Sequence, residues 1–115
     1  MKTNIIVTLQ MEGLHNWPDA KTIVPIMGFL SDIHRHIFHI TCKKEVKHND
    51  RDVEFIMFKR DLEYYIDTKY YSTKYNCLLF GPMSCEMIAK YLVEEFNLCY
   101  CKVMEDNENG AEIIK

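Results

Sequence analysis

The sequence contains no long apolar segment, few glycines and few prolines. No apolar run approaches the ~20 residues that a helix needs to cross a bilayer, so we expect no membrane role. Four glycines and three prolines are scattered over 115 residues, without a linker-like stretch or a repeated period. The sequence therefore predicts a single domain over residues 1–115, long enough for one hydrophobic core.

The sequence also lacks an excess of positive charge. It carries 14 Lys and Arg residues against 17 Asp and Glu residues, which gives a formal net charge of -3. Proteins that bind nucleic acid mainly through its phosphates need clustered basic residues. We therefore expect no nucleic-acid partner.

The five cysteines do not suggest a disulfide framework. Their number is odd, and no apolar leader of the secretory type is recognisable. Because structural disulfides belong to oxidising compartments, unpaired cysteines favour a reducing one. We expect a cytoplasmic protein.

Alternating apolar and polar residues predict two strands in the first half of the chain. From Asn4 to Met11 the odd-numbered residues are apolar, which is the period of a half-buried strand, and Gly13 predicts the start of a turn. A second alternating run extends from Ile33 to Val46 and predicts a longer strand.

The second half of the chain predicts two helices followed by two strands. Apolar residues three or four apart predict a helix from Phe55 to Asp67, and Ser84 is a good N-cap for a helix that reaches Phe96. Two short runs, 98–104 and 111–114, predict a closing pair of strands. The order β-β-α-α-β-β predicts an α+β domain: a four-stranded antiparallel sheet with both helices on one face. Its open edges favour self-association.

Histidines give the sharpest local motif. His34 and His36 are two residues apart on a predicted strand, so both imidazoles point to the same face. His15, near the end of the first strand, could join them if that strand pairs antiparallel with the second. Three imidazoles with an open fourth position are the ligand set of a catalytic zinc, although a pair of hydrogen-bonded strand histidines is the simpler alternative. We expect His39 on the opposite face and His48 in a solvated loop.

Other residues suggest chemistry less specifically. Cys42 has the parity of His34 and His36 and could be reactive, but buried packing is the simpler expectation for it. Glu86 and Glu105 lie near the ends of predicted elements, where a buried carboxylate could accept two N–H donors from a heterocycle. Ordinary acidic residues beside a helix start and a turn are the alternative for these two.

Five segments, in order along the chain, resemble the 6-pyruvoyl-tetrahydropterin synthase and 6-carboxytetrahydropterin synthase family. His34-Arg35-His36 resembles the family's pair of zinc histidines, which have glycine between them, and His15 resembles its single zinc histidine at the end of the first strand. The resemblance covers nearly the whole chain, through the segments Met11–His15, Ile33–Phe38, Asp52–Lys59, Ser84–Leu92 and Val103–Asp106.

The resemblance implies a fold, a cofactor and a ligand class. It implies the tunnelling fold, in which subunits associate into a barrel and form pockets between them. It implies Zn²⁺ held by His15, His34 and His36, and a carboxylate, Glu105, that anchors the amino-oxo-pyrimidine edge of a pterin; Glu86 is a second ligand-binding candidate. A carboxylate suits that edge because it accepts two N–H groups at once.

The sequence departs from the family pattern where the family's proton-transfer residues would lie. No cysteine occurs in residues 28–32, no histidine in residues 67–71, and Arg35 replaces the glycine between the zinc histidines. Only Asp32, Asp67, Tyr70 or Cys42 could be proposed as a substitute base. Three possibilities therefore stay open. The first is a zinc-dependent lyase acting on a reduced pterin or on dihydroneopterin triphosphate, and the second is a non-catalytic protein, possibly viral, that sequesters a pterin-like or guanine-like ligand or a nucleotide signal. The third is a structural oligomer with a vestigial site.

Overall fold

Two strands of 13 residues form the centre of the fold: β1 (Thr3–His15) and β2 (His34–Val46). In the computed structural model, which describes residues 1–115, they pair antiparallel over their whole length. Both predicted strands are thus confirmed. β1 continues through Gly13, where a turn was expected, because Gly13 pairs with His36 on one side and with Leu78 on the other. A Cβ at Gly13 would lie 2.9 Å from the Phe80 ring, so the absence of a side chain allows this ring to cover the strand.

The sheet has six strands, in the order β3-β4-β1-β2-β5-β6. The closing pair, β5 (Tyr100–Glu105) and β6 (Asn109–Ile114), is antiparallel as predicted, and β5 pairs with β2. The four-stranded prediction is too small, because β3 (Tyr71–Ser72) and β4 (Cys77–Gly81) extend the sheet beyond β1. β4 runs parallel to β1, so the sheet is mixed. These two strands are too short for alternation to identify them.

Helices cover one face of the sheet. α1 (Ala20–Ile23) and a 3₁₀ segment (Pro25–Ser31) connect β1 to β2, whereas α2 (Phe55–Tyr70) and α3 (Cys85–Phe96) pack on the sheet. The side chain of Ser84 caps α3, as predicted, by accepting a hydrogen bond from the Met87 N–H. The α+β class and the one-sided helix layer are therefore confirmed. None of the helices is long and apolar enough to cross a membrane.

The core lies between these helices and the sheet. Residues of one parity from each central strand are buried there, which leaves the opposite sheet face, with Ile6, Thr8 and Gln10, exposed. Leu62 of α2 and Leu92 of α3 contact this layer and are fully buried. The buried row of β2 consists of Cys42, Ile40 and Phe38. The next residues of the same parity, toward the start of the strand, are His36 and His34. The candidate site is thus the polar end of the core-facing side of the sheet.

Candidate metal centre

Three strands bring His15, His34, His36 and Glu105 together. In the β1–β2 register His15 is opposite His34 and Gly13 is opposite His36, while β5 places Glu105 opposite Phe38. All four side chains belong to the helix-covered face. Each offers one ligand atom, and these four atoms all lie within 4.8 Å of one another. The structure thus places the three predicted metal ligands in one cluster and adds Glu105 to it.

Each histidine ring is held through its Nδ1 atom. Nδ1 of His15 donates to the carbonyl oxygen of Met83 (2.9 Å), and Nδ1 of His34 donates to the carbonyl oxygen of Asp32 (2.8 Å). The third ring, His36, donates to Oδ2 of Asp106 at 2.7 Å. A neutral imidazole with its proton on Nδ1 has a lone pair on Nε2. The three hydrogen bonds therefore prepare three Nε2 lone pairs as metal ligands.

The Glu105 carboxylate lies against two of these nitrogens. Its Oε2 atom is 2.7 Å from Nε2 of His15 and 3.3 Å from Nε2 of His36. Nε2 of His15 is nevertheless buried without a hydrogen-bond partner, because the contact is short but not aligned as a hydrogen bond. A lone pair facing a carboxylate oxygen at this distance is unfavourable unless a metal cation or a proton lies between them. The residues therefore fit a bound metal cation.

The chemistry of the ligands narrows the class of metal. Three imidazole nitrogens and one carboxylate oxygen suit Zn²⁺ and its first-row divalent neighbours, whereas Mg²⁺ and Ca²⁺ prefer oxygen ligands alone. Because the four residues are side by side at the end of the sheet, the set needs no rearrangement of the backbone to form. The cluster is a candidate site for a transition-metal ion.

Asp106 is an element of the site that sequence analysis missed. Its Oδ2 atom accepts from His36 and its Oδ1 atom accepts from the backbone N–H of Ile37 at 2.9 Å, so the carboxylate joins the β5–β6 turn to β2. The bond from His36, and then that from Ile37, lowers the pKa of Asp106 below its ordinary value. Its backbone is left-handed, with φ 53°, a conformation that Asp and Asn adopt more readily than most residues. The sequence offered one indication of this role, because Asp106 is an acidic residue directly after the predicted ligand-binding residue Glu105.

A cavity of about 620 Å³ opens beside the cluster. Its floor includes the three histidines and Glu105, its walls include Trp17, Leu30 and Met83, and the start of α3 lies at its edge. This volume is within the range of small-molecule sites, and a few polar groups in a largely apolar wall are typical of them. Glu86 lies on this wall with an exposed side chain, so both predicted ligand-binding carboxylates border the same cavity.

Cys85 is a further residue of the cavity that sequence analysis missed. It is the first residue of α3 and is buried. Burial, and then the Glu105 and Glu86 carboxylates, raise the pKa of its thiol to about 12. At neutral pH Cys85 is therefore a protonated thiol and a weak nucleophile.

The proposed substitute bases are not gathered at the histidines. Asp32 holds His34 through its backbone carbonyl, while its own side chain is exposed. Tyr70 directs its hydroxyl to the Met83 sulfur at 4.0 Å, and burial raises its pKa. Cys42 lies six residues along β2 from His36, roughly 20 Å at the rise of a strand. Its sulfur is buried 3.9 Å from that of Cys101.

The two remaining histidines lie outside the cluster. His39 has the opposite parity on β2 and projects from the open face of the sheet, where it is paired in register with Gln10 and Met104. His48 is exposed in the loop after β2, with Nε2 3.5 Å from a carboxylate oxygen of Asp52. Both predictions are confirmed, and the two residues offer matched controls for the cluster.

Comparison with known proteins adds no relative. The chain matches no protein-family model, and no curated protein matches it.

Proposed function

We propose that this chain is a zinc-binding protein of the 6-pyruvoyl-tetrahydropterin and 6-carboxytetrahydropterin synthase type, acting as a lyase on a reduced pterin or on dihydroneopterin triphosphate. One observation carries the proposal: three Nε2 lone pairs, each prepared by an Nδ1 hydrogen bond, converge with a carboxylate at the floor of a cavity of small-molecule size. The converging residues are those that the family motifs single out.

Zn²⁺ bound by His15, His34 and His36 would supply Lewis-acid polarisation of a hydroxyl or carbonyl oxygen of the ligand. The chain's own residues orient the reactants. Met83, Asp32 and Asp106 fix the histidine rings, which keeps the metal ligands aligned. Glu105, whose Oε2 atom faces the histidines, accepts the N–H groups of the heterocycle edge. Glu86, at the cavity wall, is a second acceptor for N–H donors.

A cytoplasmic homo-oligomer with the tunnelling-fold barrel belongs to this proposal. The connection between β1 and β2 borders the cavity and carries large exposed apolar side chains, among them Ile23, Ile26 and Phe29. Ile26 is 86% exposed. Apolar surface of this kind, next to a ligand cavity, is suited to burial against a second subunit.

Metal analysis and turnover test the proposal together. Protein purified without a metal-affinity step and without added metal should contain one zinc ion per chain. It should also convert dihydroneopterin triphosphate or the phosphate-free reduced pterin, which chromatography of the products would detect. His34→Ala should lose both zinc and turnover, whereas His39→Ala should keep them. Full zinc occupancy without conversion of either compound would contradict the lyase assignment.

A second candidate function is a non-catalytic protein that sequesters a pterin-like or guanine-like ligand, including a nucleotide signal. It is favoured by the positions of Asp32, Tyr70 and Cys42, none of which directs a titratable side chain to the histidines. Calorimetry with pterins and guanine nucleotides tests it: the candidate requires binding without any product, and Glu105→Ala should abolish that binding. Absence of binding for all these ligands would overturn it.

A further inference from the structure

The Glu105 carboxylate lies at the distance from the imidazoles that separates two ligands of one metal ion. Its Oε2 atom is 2.7 Å from Nε2 of His15 and 3.3 Å from Nε2 of His36. Two ligand atoms of a tetrahedral Zn²⁺ ion lie roughly 3.3 Å apart when each is about 2 Å from the ion. The contact to His36 matches this spacing and the contact to His15 is somewhat shorter, so an ion shared with the two imidazoles can also contact Oε2.

The direction of the contact fits a shared ion better than a hydrogen bond. Nε2 of His15 is buried without a hydrogen-bond partner, although Oε2 of Glu105 is only 2.7 Å away, because the oxygen is not in line with the nitrogen. A metal ion bound to Nε2 occupies that line itself, and the other ligands of a tetrahedral ion lie to the side of it. Glu105 is therefore beside the lone pair of His15, where a neighbouring ligand belongs.

The metal and the heterocycle compete for the same carboxylate. The amino-oxo-pyrimidine edge presents two N–H donors, and a bidentate pair with them uses both oxygens of Glu105. A carboxylate that contacts the metal through Oε2 has only Oε1 left for the heterocycle. Full binding of the heterocycle edge therefore requires Glu105 to leave the histidines.

The side chain of Glu105 can make this movement while its backbone stays fixed. β5 is held on both sides, since Glu105 is in register with Phe38 of β2 and with Asn109 of β6. The side chain is only partly buried and lines the cavity. A change of rotamer is thus sufficient to turn the carboxylate from the histidines into the cavity.

We propose that Glu105 is the fourth metal ligand while the cavity is empty, and that it leaves the metal to accept the N–H edge of the heterocycle. The inference rests on the proposed function and gives the two contacts of Glu105 an order. The position that Glu105 leaves is open to a side-chain hydroxyl of the same ligand. The metal is therefore accessible only in a cavity that already holds the heterocycle.

Zinc affinity of the full chain without any pterin, measured by competition with a chelator, tests the contact with the metal. Glu105→Gln keeps the shape of the side chain and removes its charge. It should lower the affinity at least about tenfold, because even groups that only support metal ligands contribute about 10 to 100-fold. Glu86→Gln makes the same change of charge in the same cavity and should leave the affinity unchanged. An unaltered affinity in Glu105→Gln, or an equal loss in both variants, would overturn the inference and leave the proposed function intact.

Pterin itself tests the exchange, because it has the amino-oxo-pyrimidine edge but no side-chain hydroxyl. Saturating pterin should draw Glu105 from the metal without replacing it, and should lower the zinc affinity of the wild type several-fold. By thermodynamic reciprocity, zinc should weaken pterin binding by the same factor in calorimetry. Dihydroneopterin, whose side-chain hydroxyls can take the vacated position, should not lower the zinc affinity.

The outcomes separate the inference from the proposed function. Pterin that binds and leaves the zinc affinity of the wild type unchanged would overturn the inference alone, since Glu105 would then hold the heterocycle without having held the metal. If the wild type binds neither zinc nor any pterin, the proposed function fails and the inference fails with it.

Discussion

His15 and His34 are opposite each other in the antiparallel register of β1 and β2, with ring centroids 4.6 Å apart. They are the last residue of one strand and the first residue of the next. Because β1 ends at His15 and β2 begins at His34, the connecting segment 16–33 leaves the sheet at this point. The rings lie on the helix-covered face, and residues of the connecting segment line one side of the cavity beside them. The strand register thus brings the two histidines together and places the connecting segment beside them at the cavity.

Metal binding should require each of the three cluster histidines. Replacing His15, His34 or His36 with alanine removes one of the three imidazole ligands, so we expect metal content to fall from about one ion per chain to near zero, as measured by mass spectrometry of dialysed protein. His39→Ala, on the opposite face of β2, is the matched control. Equal metal loss in the control would indicate an indirect effect on the fold.

Asp106 should strengthen the metal site without binding the metal. Asp106→Asn keeps one oxygen as acceptor for the Ile37 N–H and tolerates the left-handed backbone, but it replaces the oxygen that accepts from His36 with an NH₂ group and removes the charge. We expect metal affinity to fall by about 10 to 100-fold, measured by competition with a chelator. Glu108→Gln, in the same turn, should leave the affinity unchanged. An unaltered affinity in Asp106→Asn would contradict a role for the Asp106 carboxylate in positioning His36.

Glu54 should stabilise α2 in a pH-dependent manner. Its carboxylate caps the helix by accepting from the N–H groups of Met57 and Ile56, and these bonds lower its pKa below 4.5. A carboxyl with a lowered folded-state pKa contributes stability above its unfolded-state pKa and loses it as the pH falls through the folded-state value. Glu54→Gln should therefore lower Tm by a few degrees at pH 7, and the difference should shrink as the pH falls below the unfolded-state pKa and disappear below the lower folded-state pKa.

The pH profile of Tm, recorded by circular dichroism, measures this effect. Glu63→Gln removes a carboxylate from the middle of the same helix and should show no comparable loss at pH 7. A Glu54→Gln difference that persists unchanged at low pH would contradict the assignment to the ionised carboxylate.

Gly110 should be required by the β5–β6 pairing. A Cβ at this position would lie 2.0 Å from the backbone oxygen of Val103 and 2.7 Å from Cα of Met104, so the strands would have to separate. We expect Gly110→Ala to lower the free energy of unfolding by about 1–3 kcal/mol in denaturant titrations. In Gly28→Ala the nearest atom to the new Cβ is the flexible Lys21 side chain, so its cost should be smaller. Equal costs would show that the close contact with β5 is not decisive.

The candidate site was predictable in part. The spacing of His34 and His36 determines that both rings share one face, and His15 could be proposed as the third ligand because it ends a strand. Glu105 was named as a site residue only through the family resemblance. Its contact with the histidines, and the position of Asp106, could not be predicted from local patterns, since they depend on the pairing of β5 with β2 across more than 60 residues of sequence. Cys42 shares the parity of the histidines, yet only the packing against Cys101 places it in the core, away from them.

Local patterns in the sequence determined the strand and helix periods, the Ser84 cap and the shared face of the histidine pair, because these depend on backbone geometry within a few residues. The tertiary structure alone decided the six-stranded mixed sheet, the contact between His15 and Glu105, and the acidic cavity. Those features depend on which distant segments pair, and that choice is made by burying Phe38, Val103 and the rest of the core together.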